Sequence, residues 1–188
     1  MINPVTDINT YITPNCDVEE GDIVVDIGAH VGEFIYYAKS KKAGRIIAFE
    51  PCNKLFKICK LIKEVELTKA AVCLNNGKGN IYFDINDTPS SGIYLTRGVP
   101  EEVDFISFKS ILNNLEKIDF LKIDCEGTEK DFLPELSDDE LLKIRKWAIE
   151  WHADKTDRIT MEKFMNRLEN VTLTFQDDSR TTFTAWRK

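Results

Sequence analysis

"GDIVVDIGAHVGEF", residues 21–34, is the stretch whose reading decides the fold. Ile23, Val24, Val25 and Ile27 form an apolar run too short for a helix and bounded by Gly21 and Gly28, as in a strand buried on both faces. From Glu33 to Lys42 the spacing changes to that of a helix, with Phe34, Ile35 and Ala38 on one face. Two lysines and Gly44 suit the end of that helix. A buried strand, a glycine turn and an amphipathic helix make the first half of a βαβ unit.

The same alternation continues outward. "RIIAFE" (45–50) reads as a second strand, and Pro51 suits the first turn of the next helix, where Leu55, Ile58, Cys59 and Ile62 form a packing stripe. "VELTKAAVC" (65–73) reads as a third strand. "LNNGKGN" then turns into "IYFDI", which predicts a hairpin-like excursion. Residues 84–100 predict a long loop, with Ser90, Ser91 and Arg97 as candidate pocket residues. "VDFISFKSIL" (103–112) starts extended and turns helical, and "FLKIDCEGTE" (120–129) holds the fourth strand. Ser137 and Glu140 carry a capping-box signature for a short helix of Leu141, Leu142 and Ile144. "WAIEWH" (147–152) is the fifth strand, Met161, Phe164, Met165 and Leu168 share a helix face, and "VTLTF" and "TTFTAW" flank "QDDSR" as a terminal antiparallel hairpin. The expectation is a single α/β domain over residues 1–188, with residues 1–20 as a short lead-in: a mostly parallel sheet with helices on both faces and a C-terminal hairpin.

In such a sheet ligands bind beyond the carboxyl ends of the strands, where strand order reverses. Gly28 permits a tight turn there, Gly32 lets the helix start close to a ligand, and Asp26 is placed to accept hydrogen bonds from a cationic ligand or from loop amides. Glu50 stands 22 residues after Gly28 (50 − 28), where an acid can accept both hydroxyls of a ribose; the alternative role is a helix cap. A dinucleotide fingerprint needs glycines at the first, third and sixth positions, and here His30 and Glu33 take the third and sixth. No glycine–lysine–serine/threonine ending marks a phosphate loop. Asp26 and Glu33 would repel pyrophosphate and suit a phosphate-free ligand with a positive centre, such as S-adenosylmethionine.

At this point the sequence resembles the FkbM family of S-adenosylmethionine-dependent methyltransferases, through "GDIVVDIGAHVGEF", "IIAFEP", "VDFISFKSIL", "IDFLKIDCEGTEKDFL" and "AIEWH" in family order. The resemblance implies a seven-stranded Rossmann-like class I methyltransferase fold and O-methylation of hydroxyls on sugars, polyketides and other metabolites. Carried over by position, Asp26, Gly28, Ala29, His30 and Gly32 belong to the methionine end of the cofactor site, Glu50 to its ribose and Ala71 to its adenine. His30 departs mildly from the family, where asparagine is also common. The segment before the first strand is short, which implies a reduced lid.

Methyl transfer to an alcohol needs an aligned oxygen and a group that takes its proton. Asp124 and Glu126 emerge at the end of the fourth strand, beside the first, and Lys122 shares a side with Asp124 and can hold an acid ionised. Glu129 reads as a charge at a helix start. Glu150 and His152 share one face of the fifth strand, and His152 is the better base candidate because an imidazole titrates near neutrality. The catalytic candidates are therefore Asp124, Glu126, His152 and Lys122. Asp124, Glu150 and His152 could instead hold a divalent ion; the resemblance does not require one, so no metal is expected.

The formal net charge of −7 disfavours nucleic acid and anionic membranes as partners. Five cysteines lack the spacing of a zinc or redox motif, and no signal peptide or membrane span is visible, which points to a reduced, cytoplasmic protein with a small-molecule acceptor. Two rivals remain: a module that binds the cofactor without catalysis, and a nicotinamide oxidoreductase. A nucleic-acid methyltransferase is weaker, because "DCEG" stands where amino-directed enzymes carry an Asn/Asp-Pro-Pro-aromatic run.

Overall fold

The computed structural model describes residues 8–83, 91–92, 98–152, 157–177 and 179–188. A 3-10 turn (Ile8–Tyr11) precedes the first strand, β1 (Ile23–Ile27), which leads through Gly32 into helix α1 (Glu33–Ser40). Strand β2 (Arg45–Phe49), helix α2 (Asn53–Cys59) and strand β3 (Glu66–Thr68) follow, and then β4 (Ala71–Cys73), β5 (Gly77–Phe83), β6 (Ser91–Gly92) and β7 (Val99–Ser107). Helix α3 (Phe108–Asn113), strand β8 (Ile118–Ile123), helices α4 (Glu129–Phe132) and α5 (Asp138–Leu142), strand β9 (Ile144–His152), helix α6 (Arg158–Met165) and strands β10 (Thr172–Gln176) and β11 (Arg180–Trp186) complete the chain.

The main sheet has seven strands in the order β10-β11-β9-β8-β1-β2-β3. β3, β2, β1, β8 and β9 are parallel, and β11 runs antiparallel to β9 and to β10. The chain therefore lays strands outward from β1 to β3, then returns to start again at β8 on the other side of β1. That reversal opens a crevice beyond the carboxyl ends of β1 and β8. Alternation of side chains along the strands feeds two cores. Val24, Ile46, Ala48 and Phe120 pack under α1 and α2 with Phe34, Ile35 and Cys59. Val25, Ile47, Leu121 and Ile149 pack on the other face with Phe108, Phe132, Met161 and Phe164 from the later helices.

Three expectations are corrected. Residues 65–73 are two strands: β3 ends the main sheet, the chain breaks at Lys69 and Ala70, and β4 joins a separate sheet ordered β4-β7-β5-β6. The apolar run suits either sheet, so its pattern alone does not reveal the break. Pro51 precedes the Cys52 cap and lies outside the first turn of α2. The capping box of Ser137 and Glu140 is present, but Leu142 is exposed and Ile144 already belongs to β9. In the 84–100 stretch, Ser90 and Arg97 lie outside the described residues, Ser91 falls in β6, and its last two residues belong to β7. Among the described residues no helix is long and apolar enough to cross a membrane.

The β1–β8 contact sets the tightest packing requirement. Gly28 has φ 78°, and a Cβ there would fall 1.7 Å from the Asp124 carbonyl oxygen, which cannot move without breaking the Asp124 N–H bond to Ile27. Gly28→Ala is expected to destabilise the protein by more than about 3 kcal/mol in urea unfolding. A loss under about 1 kcal/mol would show that the two strand ends can separate.

Candidate active site

The crevice holds a cavity of about 310 Å³ with two unlike ends. At the first, Phe49, Leu55, Ala70, Ala71, Val72 and Ile81 form an apolar slot, with Glu50 at its edge. Ala71 reaches this slot from the second sheet, which therefore supplies a wall. Thr128 fastens that wall to β8's exit by donating its hydroxyl to the Val72 carbonyl at 2.9 Å. At the second end stand Lys122, Asp124, Glu126, Glu150 and Arg180. Gly28, Ala29, His30 and Glu33 line the passage between them, opposite Thr10 and Tyr11.

Glu50 bonds the start of α2, one of its two sequence readings, and also lines the cavity. One carboxylate oxygen accepts the Cys52 amide at 2.8 Å, at the start of α2, and the other accepts the His30 amide at 2.8 Å. Burial pushes its carboxyl up to about 7, against the pull of those two amides. Gly32 and Asp26, expected beside the methionine end, do not line the cavity. Gly32 adopts φ 90° at the start of α1, and a Cβ there would lie 2.3 Å from Ile62, so its glycine serves the packing of α2's exit. Asp26 is fully buried behind the site and faces Lys122 at 3.3 Å. Burial raises its carboxyl to about 6 although the ammonium pulls the other way.

Lys122 donates to the Gly28 carbonyl at 2.7 Å and stands 3.7 Å from Asp124, so it fixes both strand exits. Burial opposes its charge, yet Asp26 and then Asp124 hold the ammonium above its ordinary value. This is a positioning role, and the expected partnership with Asp124 is joined by one with Asp26.

His152 lies in a cage of carboxylates. Its Nε2 is 3.4 Å from Glu150, 3.6 Å from Glu126 and 3.9 Å from Asp124, and its Nδ1 is 3.3 Å from Glu129. Burial disfavours the charged ring, but contacts with Glu129 and Glu150, helped by Asp124, overcome it and raise His152 to about 11. These acids favour the imidazolium form, which weighs against the expectation that His152 is the better base. Glu126 differs from its neighbours: burial raises it to about 7, opposed by His152 and reinforced by Asp124. Its φ of 58° is a left-handed conformation, held where the chain turns out of β8.

Glu129 was read as a helix-start charge and is more than that. It is completely buried, accepting the Gly127 amide at 2.9 Å and the His152 amide at 2.6 Å, so it ties the exits of β8 and β9 together. Tyr11 and Arg180 were not singled out in the sequence. The Tyr11 hydroxyl lies between Asp124 and Glu150, and Arg180 donates to Glu150 at 2.7 Å. No short-range signal marks Tyr11, because 113 residues separate it from Asp124. Burial works against an ionised Glu150, but bonds from His152, Tyr11 and Arg180 outweigh it and pull the carboxyl down to about 2.

The ligand atoms of Asp124, Glu150 and His152 lie within 4.8 Å of one another, which is close enough to share an ion. Arg180, which donates to Glu150 at 2.7 Å, would share that carboxylate with such an ion.

Residues 26–177 match the methyltransferase FkbM domain. The chain belongs to this family. The match runs from the end of β1 to just past β10, so the FkbM domain contains both ends of the cavity while Tyr11 and Arg180 fall outside it. Solved structures similar to this FkbM domain include an rRNA methylase from Streptococcus thermophilus, at 11% identity and TM-score 0.56 over 100% of this chain and 98% of that one. Another is precorrin-6y C5,15-methyltransferase from Geobacter metallireducens, at 12% identity and TM-score 0.55 over 96% and 85%. A third is Aeropyrum pernix fibrillarin with natively bound S-adenosyl-L-methionine, at 11% identity and TM-score 0.51 over 92% and 70%. At these identities the likeness is one of fold: the class I methyltransferase architecture expected from the sequence. No curated protein matches the chain in sequence.

Burial of Glu50 has a consequence for stability. Its carboxyl rises from an ordinary 4.5 to about 7 in the folded protein, so its stabilising contribution is complete below 4.5 and is lost as pH rises through 7. Glu50→Gln cannot ionise. Without cofactor, the melting temperature of Glu50→Gln relative to wild type is expected to climb between pH 4.5 and 7.5. Parallel melting curves across that range would contradict the buried-acid account.

Proposed function

We propose that this FkbM-family domain transfers the methyl group of S-adenosylmethionine to a hydroxyl oxygen of a small, uncharged acceptor such as a sugar or another metabolite. The observation that carries this reading is one cavity joining a carboxylate beside an apolar slot to a cluster of strand-end acids. The residues fit the cofactor's parts. The slot between Phe49, Leu55, Ala71 and Ile81 suits a flat adenine, and Glu50 keeps free lone pairs on both oxygens for a diol. His30 lines the passage with neither ring nitrogen hydrogen-bonded among the described residues, which leaves both for the amino-acid tail. Burial keeps its ring below the ordinary value and therefore neutral at pH 7.

The bound cofactor supplies the methyl group and its leaving group. What remains for the chain is to align the acceptor and take its proton. Glu126 has the protonation behaviour for that step, since a carboxyl near 7 is partly ionised at neutral pH and still basic. The His152 imidazolium, 3.6 Å away, favours its ionised form. Asp124, beside Lys122 and Tyr11, orients rather than accepts. Acids outnumber bases around the cavity, with Glu33, Glu50, Asp124, Glu126 and Glu150 set against Lys122 and Arg180. That balance retains a cationic cofactor and repels phosphorylated acceptors, nucleic acid included. Five free cysteines favour a reducing compartment, the cytoplasm.

Calorimetric titration with S-adenosylmethionine is expected to give micromolar binding that Glu50→Ala abolishes; a folded wild type that binds none overturns the reading. For the base, the rate of methyl transfer to an acceptor found by screening is expected to rise through a pH near 7. Glu126→Gln is expected to lower it by about 10²-fold or more and remove the rise. A Glu126→Gln enzyme with an unchanged profile would put the proton elsewhere.

A further inference from the structure

Tyr11 lies ahead of residue 26, where the match to the family begins, yet it is completely buried within the second end of the cavity. Its ring is fixed edge-on to Phe34, 6.3 Å between centroids, with the Lys122 ammonium 5.5 Å from its centre. Its backbone is fixed as well, because the Thr174 hydroxyl donates to the Thr10 carbonyl at 2.5 Å and ties the segment to β10. The hydroxyl therefore reaches the strand ends from a rigid base. It donates toward Asp124 Oδ2 at 3.0 Å and Glu150 Oε2 at 2.7 Å, and among the described residues no other side chain hydrogen-bonds to both.

Each carboxylate also has cations within reach. Lys122 is 3.7 Å from Asp124, Arg180 is 2.7 Å from Glu150, and His152 stands near both, with Glu126 at the same ring nitrogen, Glu129 at the opposite one and Asp26 behind Lys122. Without the Tyr11 hydroxyl Asp124 would close on Lys122, 3.7 Å away, while Glu150 is already bonded to Arg180 and anchors the hydroxyl from the other side. The neutral hydroxyl has one proton to share between the two carboxylates, and it steadies Asp124 without cancelling its charge.

We infer that Tyr11 is a positioning residue whose hydroxyl, anchored on Glu150, keeps Asp124 presented to the cavity, where its charge favours a cationic sulfur ligand over a neutral one. The inference rests on the methyltransferase reading given above. Its functional consequence is directional: the sulfonium substrate is held, and the thioether left after methyl transfer loses that attraction and departs. The segment carrying Tyr11, together with Ile8 and Thr10, is then part of the active site.

The test compares S-adenosylmethionine with S-adenosylhomocysteine, which lacks the methyl group and the charge, by calorimetry on wild type and Tyr11→Phe. Tyr11→Phe is expected to weaken the cationic ligand about tenfold and change the neutral one by less than about twofold. Equal losses for both ligands would reduce Tyr11 to a wall, and an unchanged preference would overturn the inference outright. If folded wild type binds neither ligand, the methyltransferase reading falls and takes this inference with it. Should Tyr11→Phe fail to fold, Asp124→Asn is expected to show the same selective loss, and equal losses there would again overturn it.

Discussion

A single buried ammonium organises the working end of this protein. Lys122 sits in β8 with almost no exposure, where an unpaired charge would cost several kcal/mol. It is paired with Asp26 on the neighbouring strand, bonded to the Gly28 carbonyl and placed near Asp124. Asp26 depends on it equally, since neither of its buried oxygens has a hydrogen bond of its own. Removing Asp26 would leave the Lys122 ammonium buried without its nearest partner, a change that costs about 3–5 kcal/mol; removing Lys122 would leave Asp26 buried and protonated. The pair therefore couples the exits of β1 and β8, and every functional side chain on those two exits inherits its position from that coupling.

The cavity is a consequence of topology as much as of composition. β1 is flanked by β2 and β8 because the chain reverses direction of growth there, so the glycine turn after β1 and the acidic turn after β8 must face each other. The second sheet then closes the side next to Glu50. Its first strand, β4, brings Ala71 and Val72 against the slot, and the Thr128 hydroxyl bonds the Val72 carbonyl to the turn after β8. The apolar slot thus takes walls from both sheets, and the polar end lies at the exits of the main sheet.

The main sheet was legible because its strands are buried on both faces and separated by helices of clear periodicity. Its five parallel strands and terminal hairpin follow from local patterns that agree with one another. The split of residues 65–73 was not legible, because three apolar residues pack equally well in either sheet and only the β4–β7 pairing separates them. Within the site, Glu50, Asp124, Glu126 and His152 could be found because each ends a recognisable strand or turn. Glu129 was placed but undervalued: an acid in the first turn of a helix has an ordinary electrostatic explanation, and only tertiary structure shows it bonded to the His152 amide. Tyr11 and Arg180 are joined to the site by chain folding alone.

Protonation divides the roles among groups that look interchangeable in sequence. Four carboxylates surround His152, and Glu129, Glu150 and Asp124 among them raise it well above the ordinary imidazole value against the effect of burial. Tyr11 and Arg180, with His152, hold Glu150 down to about 2, a fixed anion. Among the described residues Glu126 has none of the amide, tyrosine and guanidinium partners of its neighbours, and burial raises it to about 7. A proton-accepting group must be able to change state near the working pH. In the methyl transfer proposed for this site, the cage that sets His152 and Glu150 apart makes Glu126, the residue at which the backbone turns left-handed out of β8, the proposed acceptor of the proton.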